Sequence, residues 1–378
     1  MNFPFAAQRS LFPILQRKIQ LSSCSQSALC TPVADALDAY ARSWREHGMD
    51  WIGWMEVVNA AKAEFGRLIG ADADDIAVLS SVSDIASSLA SALDFPATRN
   101  RIVVAEIDFP SIGHVWLAQQ QRGAQVVFAD AQPGQVVEPD RYAALIDERT
   151  RLVSVSHVSY YNGFTQDIGA IARATRRHGA LLFVDAYQSA GAVQIDVKRD
   201  GIDMLASGAQ KYLLGCPGLA FLYVRRDLVP ALEPRNTGWF GRVNPFAFDI
   251  RTLDYAPSAR RFDTGTPPMI NAYAAHAGLK LLNSLDGALV EQYLRHLSSV
   301  AIEEARALGL SVASPTDLRV KASNTAIRVP DATALEARMA EAGYIVSARN
   351  DVVRIAPHFY NTAEDITGAM RTLAKLTQ

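Results

Sequence analysis

LLFVDAYQSAGAVQIDV (181–197), followed after four residues by IDMLASGAQKYLLGCPGLAFLYV (202–224), is the stretch whose reading decides the fold. It holds three short apolar runs, at 181–185, 202–207 and 219–224. Runs that are apolar at nearly every position are what strands buried on both faces require. The first run closes on Asp185, and the second leads straight into a turn that carries Lys211. Towards the N-terminus the same unit recurs as IAVLS (76–80), IVVAE (102–106), QVVFA (125–129) and LVSVSH (152–157). Helix-like segments lie between several of these runs. In DIGAIARATRRHG (167–179), Asp167 suits an N-cap and Gly179 a C-terminal stop. Strands alternating with helices predict an α/β fold with a mainly parallel, seven-stranded sheet covered by helices. The closer spacing of the last strands predicts an antiparallel portion.

Beyond residue 225 the pattern changes. Pro, Gly and aromatic residues dominate 230–268, which reads as long functional loops. Helical periodicity resumes from 270, with short strands expected near 324–329 and 352–355 and a last helix after them. The expected division is a large domain over 31–268, a smaller α+β domain over 269–378, and an arm over 1–30 that lies on the smaller domain. The 378 residues suit two domains. With 49% hydrophobic and 20% charged residues the chain reads as a globular enzyme. A net charge of -2 and scattered basic residues argue against a nucleic-acid partner. No apolar run is long enough to span a bilayer, so no membrane partner is expected. Cys24, Cys30 and Cys216 have neither zinc-site nor disulfide-framework spacing. No metal is expected, and a reducing cytoplasm is the default compartment.

In open α/β sheets, ligands bind outside the carboxyl ends of the strands. Asp185 closes one strand there, and Lys211 follows the next. Phe109 follows IVVAE, Ser81 and Ser83 follow IAVLS, and Ser159, Tyr160 and Tyr161 follow LVSVSH. Singly, each has an ordinary explanation as a cap, a surface lysine or a core ring. Together they suit pyridoxal 5′-phosphate (PLP). A lysine amine forms an imine with its aldehyde. A carboxylate keeps its ring nitrogen protonated so that the ring acts as an electron sink. An aromatic face stacks on the ring, and a helix N-terminus receives the phosphate.

The Asp185-to-Lys211 region resembles the signature of class V aminotransferases, a family of fold type I PLP enzymes that includes cysteine desulfurases, isopenicillin-N epimerase and kynureninase. The resemblance extends over roughly residues 20 to 370. It implies that Asp185 pairs with the pyridine nitrogen, that Gln188 reaches the ring hydroxyl, and that Lys211 is the Schiff-base lysine and proton shuttle. SSVSD (80–84) resembles the family's phosphate-binding turn, which implies Val82 (through its backbone) and Ser83 as phosphate ligands. Gln210, Ser207 and Ser159 are further expected cofactor contacts, and DFPS (108–111) implies Phe109 over the ring. FDTGTPP (262–268) resembles a loop that relatives lend to the neighbouring subunit. This implies an obligate homodimer in which Gly265 and Thr266 complete the partner's site. RIAPHFYNTAED (354–365) resembles the C-terminal motif whose arginine binds the substrate α-carboxylate, here Arg354.

The departures bear on the reaction. Desulfurases need a cysteine on a loop before the carboxylate-binding arginine, and GYIVSARNDVVR (343–354) has none. Cys24 and Cys216 read as packing residues or inert thiols. Kynureninase is suggested by DFPS and by TGWFGRVNPFAF (237–248), but Thr266 stands where its substrate-reading Asn is expected. Tyr160 and Trp239 are expected to line the substrate pocket, whereas a strand-end His157 fits a hydrogen-bonded structural role or a titrating one. The first expectation is an aminotransferase acting on a small-molecule α-amino acid. A PLP lyase that cleaves C–S or C–C bonds comes second, and a non-catalytic binding protein on this fold third.

Overall fold

The computed structural model describes residues 4–377. The first three residues of the expected arm, and Gln378 at the other end, lie outside the described residues. In chain order, β1 (Ile19–Gln20) precedes α1 (Thr31–His47) and α2 (Trp51–Ile69). An alternating run follows: β2 (Ile76–Leu79), α3 (Val82–Ala92), β3 (Arg101–Ala105), α4 (Pro110–Ala118), β4 (Gln125–Ala129), α5 (Pro139–Leu145), β5 (Thr150–Ser156), α6 (Ile168–Arg177) and β6 (Leu181–Asp185). Then come β7 (Met204–Gly208) and β8 (Ala220–Val224), short turns over 226–262, α7 (Met269–Asn283) and α8 (Gly287–Ala307). The chain ends with β9 (Ser311–Val312), β10 (Thr325–Arg328), α9 (Ala332–Glu341), β11 (Tyr344–Ile345), β12 (Ser347–Arg349), β13 (Val352–Ile355) and α10 (Ala363–Thr377).

The seven apolar runs form one sheet in the order β2-β8-β7-β6-β5-β3-β4. Its strand pairs are parallel except for those made by β8, which runs antiparallel to both β7 and β2. This is the antiparallel portion that the close spacing predicts. Alternate side chains go to opposite faces. Val103, Leu182 and Val184 join Phe65, Ile171 and Leu279 on one face. Ile102, Val104 and Phe183 join Ile85, Leu89, Ile112 and Trp116 on the other. Both faces are therefore dry, which is why the strands lack polar alternation. The exception is edge strand β4, where Phe128 remains 39% exposed.

A four-stranded antiparallel sheet, β12-β13-β10-β9, packs with α8, α9 and α10. The N-terminal segment lies along it: β1 pairs in parallel with β11, Ser22 bridges to Ala356, and Arg9 donates two hydrogen bonds to Asp365 at 2.7 and 3.1 Å. The two sheets meet where the turn after β5 touches 320–324. Thr165 N–H donates to the Val320 carbonyl and Ala322 N–H to the Gly163 carbonyl. Gly163 has a φ of +75°, and a Cβ there would overlap the Asn324 carbonyl. Lys321 is buried at this joint. Its ammonium donates to Ser298 Oγ, Thr325 Oγ1 and the carbonyls of Ala322 and Asn324 at 2.9–3.1 Å. Burial pushes this amine down to about 7. The four acceptors favour the charged form and oppose that push.

Candidate active site

Parallel strands send their carboxyl ends to one edge of the sheet, and a cavity of about 280 Å³ opens there. Asp185, at the end of β6, sits on its floor and is 7% exposed. Its Oδ1 accepts from Tyr187 N–H at 2.9 Å. Burial raises its pKa, opposed by that hydrogen bond and by the Lys211 charge. Lys211 follows β7 in a turn and points its amine into the cavity. By area it is half-buried, yet the amine is wrapped by protein. Its Nζ lies 3.8 Å from the centre of the Tyr187 ring and 5.9 Å from that of Phe109. Burial pushes the amine down to about 8. Asp185 pulls it up, whereas Arg354 and Arg349 push it further down.

The other walls come from several elements. Ser81 caps α3 by accepting from Asp84 N–H at 3.1 Å. The cap leaves the first-turn N–H groups of Val82 and Ser83 without intrahelical acceptors at the cavity edge. Phe109 immediately precedes α4, at its N-cap position, and meets Tyr160 edge-on at 5.1 Å. Gln210 Oε1 accepts from the Tyr187 hydroxyl at 2.8 Å, so its amide nitrogen is the end left for a ligand. Gln188 spends its amide nitrogen on the Cys24 carbonyl at 2.9 Å and keeps its oxygen for a hydroxyl donor. Arg354, on β13, is 1% exposed and reaches the same cavity.

Lys211, Asp185, Val82, Ser83, Phe109, Tyr160, Gln188, Gln210 and Arg354 are thus brought together. Five expected residues lie elsewhere. Ser207 is buried, with its hydroxyl directed at the carbonyls of Ala186 and Gly208. Ser159 is buried in the turn after β5, where its hydroxyl accepts from Tyr161 N–H. Trp239 joins a surface cluster with Trp51, Phe240, Phe246 and Phe248. Gly265 and Thr266 are exposed and do not line their own chain's cavity. His157 is buried, and burial lowers it to about 4, so it is neutral. Its Nδ1 has no hydrogen-bond partner among the described residues.

Sequence reasoning missed Tyr187, Arg349, Ser25, Ser111 and Ser156 in the walls, and it assigned Cys24 to packing. Cys24 is 1% exposed and does pack, but it also lines the cavity. Its arrival depends on β1 pairing with β11, a contact with no local sequence signal. Asp108, directly before Phe109, was also missed. It accepts from Ser156 N–H at 2.8 Å and Ala105 N–H at 3.2 Å, and burial pushes it up to about 7.

The donor set fits PLP on the chemistry of the residues present. A desolvated carboxylate without a fixed cationic partner other than Lys211 suits a protonated ring nitrogen. An amine of lowered basicity suits an aldehyde, and uncommitted helix N–H groups suit a phosphate. Comparison with known proteins agrees. The family model of Aminotransferase class-V matches residues 21–368. An uncharacterised aminotransferase, YcbU of Bacillus subtilis, is 41% identical, with 98% of this chain and 97% of that protein covered. Kynureninase of Deinococcus radiodurans is 29% identical over 93% of this chain and 88% of its own length. A solved structure of C-DES with glycine covalently linked to its PLP cofactor superposes with a TM-score of 0.88 at 19% identity. It covers 97% of this chain and 98% of its own. The architecture is that of fold type I PLP enzymes, and PLP is the cofactor.

Proposed function

Because the chain belongs to the class-V aminotransferase family, we propose that it is an aminotransferase of α-amino acids that works as a homodimer. The observation that carries this reading is the Lys211 amine, held in the cavity between Asp185 and two arginines. PLP, when bound, supplies an aldehyde for the substrate amine and an electron-withdrawing ring. Asp185 holds the proton of the ring nitrogen. Val82 and Ser83, with the Gln210 amide, hold the phosphate, and Gln188 accepts from the ring hydroxyl. Phe109, braced edge-on by Tyr160, would supply an aromatic face for the ring. Arg354 holds the substrate carboxylate and so turns the Cα–H bond towards Lys211. Lys211 Nζ, once free of the cofactor, would be the acid/base that takes the proton from the substrate Cα and holds it for return. Its lowered basicity leaves a useful unprotonated fraction near pH 8.

Gly265 and Thr266, exposed on their own chain, serve the phosphate of the partner's site. In this reading 31–268 is the cofactor-binding domain and 269–378 the smaller one, with 1–30 as its arm. Cys24, Cys30 and Cys216 are all free thiols, which suits a cytoplasmic setting. Among the described residues no helix is long and apolar enough to cross a membrane.

A second reading is a lyase that cleaves C–S or C–C bonds without a persulfide cysteine, so that Cys24 in the cavity wall has no part in it. The kynureninase relative points the same way. Product analysis separates the two. Purified enzyme is incubated with a panel of amino acids, with and without an α-keto acid. A new keto acid with pyridoxamine phosphate supports transamination. Pyruvate or alanine formed without an amino acceptor, together with sulfide or a released fragment, would sink it in favour of the lyase.

A further inference from the structure

Arg354 is largely committed to the protein. Its Nε donates to the Ser347 carbonyl at 3.4 Å and its Nη1 to the Tyr160 carbonyl at 2.7 Å. Its Nη2 donates to Ser25 Oγ at 3.0 Å and to Ser347 Oγ at 2.7 Å. A guanidinium has five N–H donors. Four are used, so Arg354 meets a carboxylate with its charge and one remaining hydrogen bond.

Arg349 lines the same cavity from the same hairpin: Ser347 pairs with Arg354, and Arg349 with Val352. Its situation is the reverse. Among the described residues its side chain makes no hydrogen bond or ion pair, and its Nε is buried without a partner. Burial, and then the neighbouring Arg354 charge, push its pKa below the ordinary arginine value. Cys24, Tyr160 and Glu336 offset this only in part, and Glu336 is not within ion-pair distance. Asp185 is the one acid among the cavity's described lining residues, and the ring nitrogen claims it. The phosphate end is elsewhere, at Ser81, Val82, Ser83 and Gln210. The charges therefore do not balance with a singly charged substrate carboxylate. That group neutralises Arg354 and leaves the half-buried Arg349 guanidinium beside it with its five donors unclaimed by protein, the Nε fully enclosed.

We propose that Arg349 binds a second anionic group, on the substrate side chain, and that the site takes acidic α-amino acids. This rests on the amino-acid reading of the site given above. A side-chain carboxylate matches the free guanidinium fork, whereas an amide of the same shape leaves the charge unmet.

The test separates binding from chemistry. Calorimetry of the holoenzyme compares succinate with butyrate and glutarate with valerate, in wild type, Arg349→Gln and Arg349→Lys. The dicarboxylates are expected to bind about ten- to a hundredfold more tightly than the monocarboxylates. Arg349→Gln should abolish that preference, and Arg349→Lys should keep part of it. In turnover, wild type should favour aspartate over asparagine, or glutamate over glutamine, by a similar factor in kcat/KM. The proposal is overturned if dicarboxylates bind no better than monocarboxylates. It is equally overturned if Arg349→Gln weakens both to the same degree, since both arginines would then share one carboxylate. Dicarboxylate preference without any amino-acid turnover would uphold this assignment and defeat the aminotransferase reading instead.

Discussion

At the scale of single residues, the site is built on groups that folding would rather leave in water. Lys211 shows this most directly. Burial pushes its amine down to about 8 in the folded chain, against about 10.4 in an unfolded one. Between those values the unfolded state binds more protons, so stability rises with pH. The burden is fully present below pH 8 and is relieved as pH climbs towards 10.4. The cofactor-free Lys211→Met protein should therefore be more stable than the cofactor-free parent at pH 7, by roughly 3 kcal/mol. The gap should shrink by pH 10. Urea melts at the two pH values would check this, and a pH-independent gap would mean that the amine is not desolvated. Asp185 and Lys211 were legible in the sequence because strand ends are where α/β sheets place ligands. Arg349 was not. It stands in a segment that reads as an ordinary hairpin, and its value comes from what it lacks, a partner, which only packing reveals. Tyr187 was hidden in plain view between two assigned residues. Its ring fits because Gly208 has no Cβ to collide with it.

At the scale of elements, apolar runs identify buried strands well, and the seven of the main sheet follow their sequence stretches closely. The short strands β1, β9 and β11 carry no such signal, because two residues cannot display a period. They exist by pairing with partners far along the chain. Polar ties between elements are likewise invisible beforehand. Lys62 on α2 meets Asp263 at 2.5 Å, with the side chains only 7% and 11% exposed. Asp263 also accepts from Val78 N–H at 2.8 Å. The pair fastens the start of the 264–268 loop to α2 and β2. Lys62→Met should destabilise the protein by about 3–5 kcal/mol, because it strands a buried carboxylate. Lys62→Met combined with Asp263→Asn should recover most of that loss, since the amide oxygen still serves Val78. Denaturation midpoints report both, and a single variant as stable as wild type would show the pair to be idle.

At the scale of the whole molecule, the proposed exchange of Gly265 and Thr266 between subunits makes a quantitative claim. Thr266→Ala and Lys211→Ala subunits should each be nearly inactive alone. In a hybrid, the Thr266→Ala subunit keeps its own Lys211 and receives an intact Thr266 from its neighbour. Random re-pairing of equal amounts should then restore about a quarter of wild-type activity, since half the dimers are hybrids with one complete site each. No recovery after proven subunit exchange would place Thr266 in its own chain's site. The expected division at 268 follows the change from loops to helical periodicity. How the two sheets meet could not be read from it, because that depends on the Lys321 joint and on the N-terminal segment. That segment has a consequence for synthesis. Residues 19–26, which deliver Cys24 and Ser25 to the cavity, pair mainly with 344–361, apart from the contacts of Cys24 with Gln188 and of Gln26 with Gly215. A ribosome adding roughly 5–20 residues per second leaves them waiting for tens of seconds. The main sheet can assemble in that interval, but the cavity stays open on one side until residues 344–361 have been translated. In the cell, then, the cofactor meets a finished binding site only after residues 344–361 have been added.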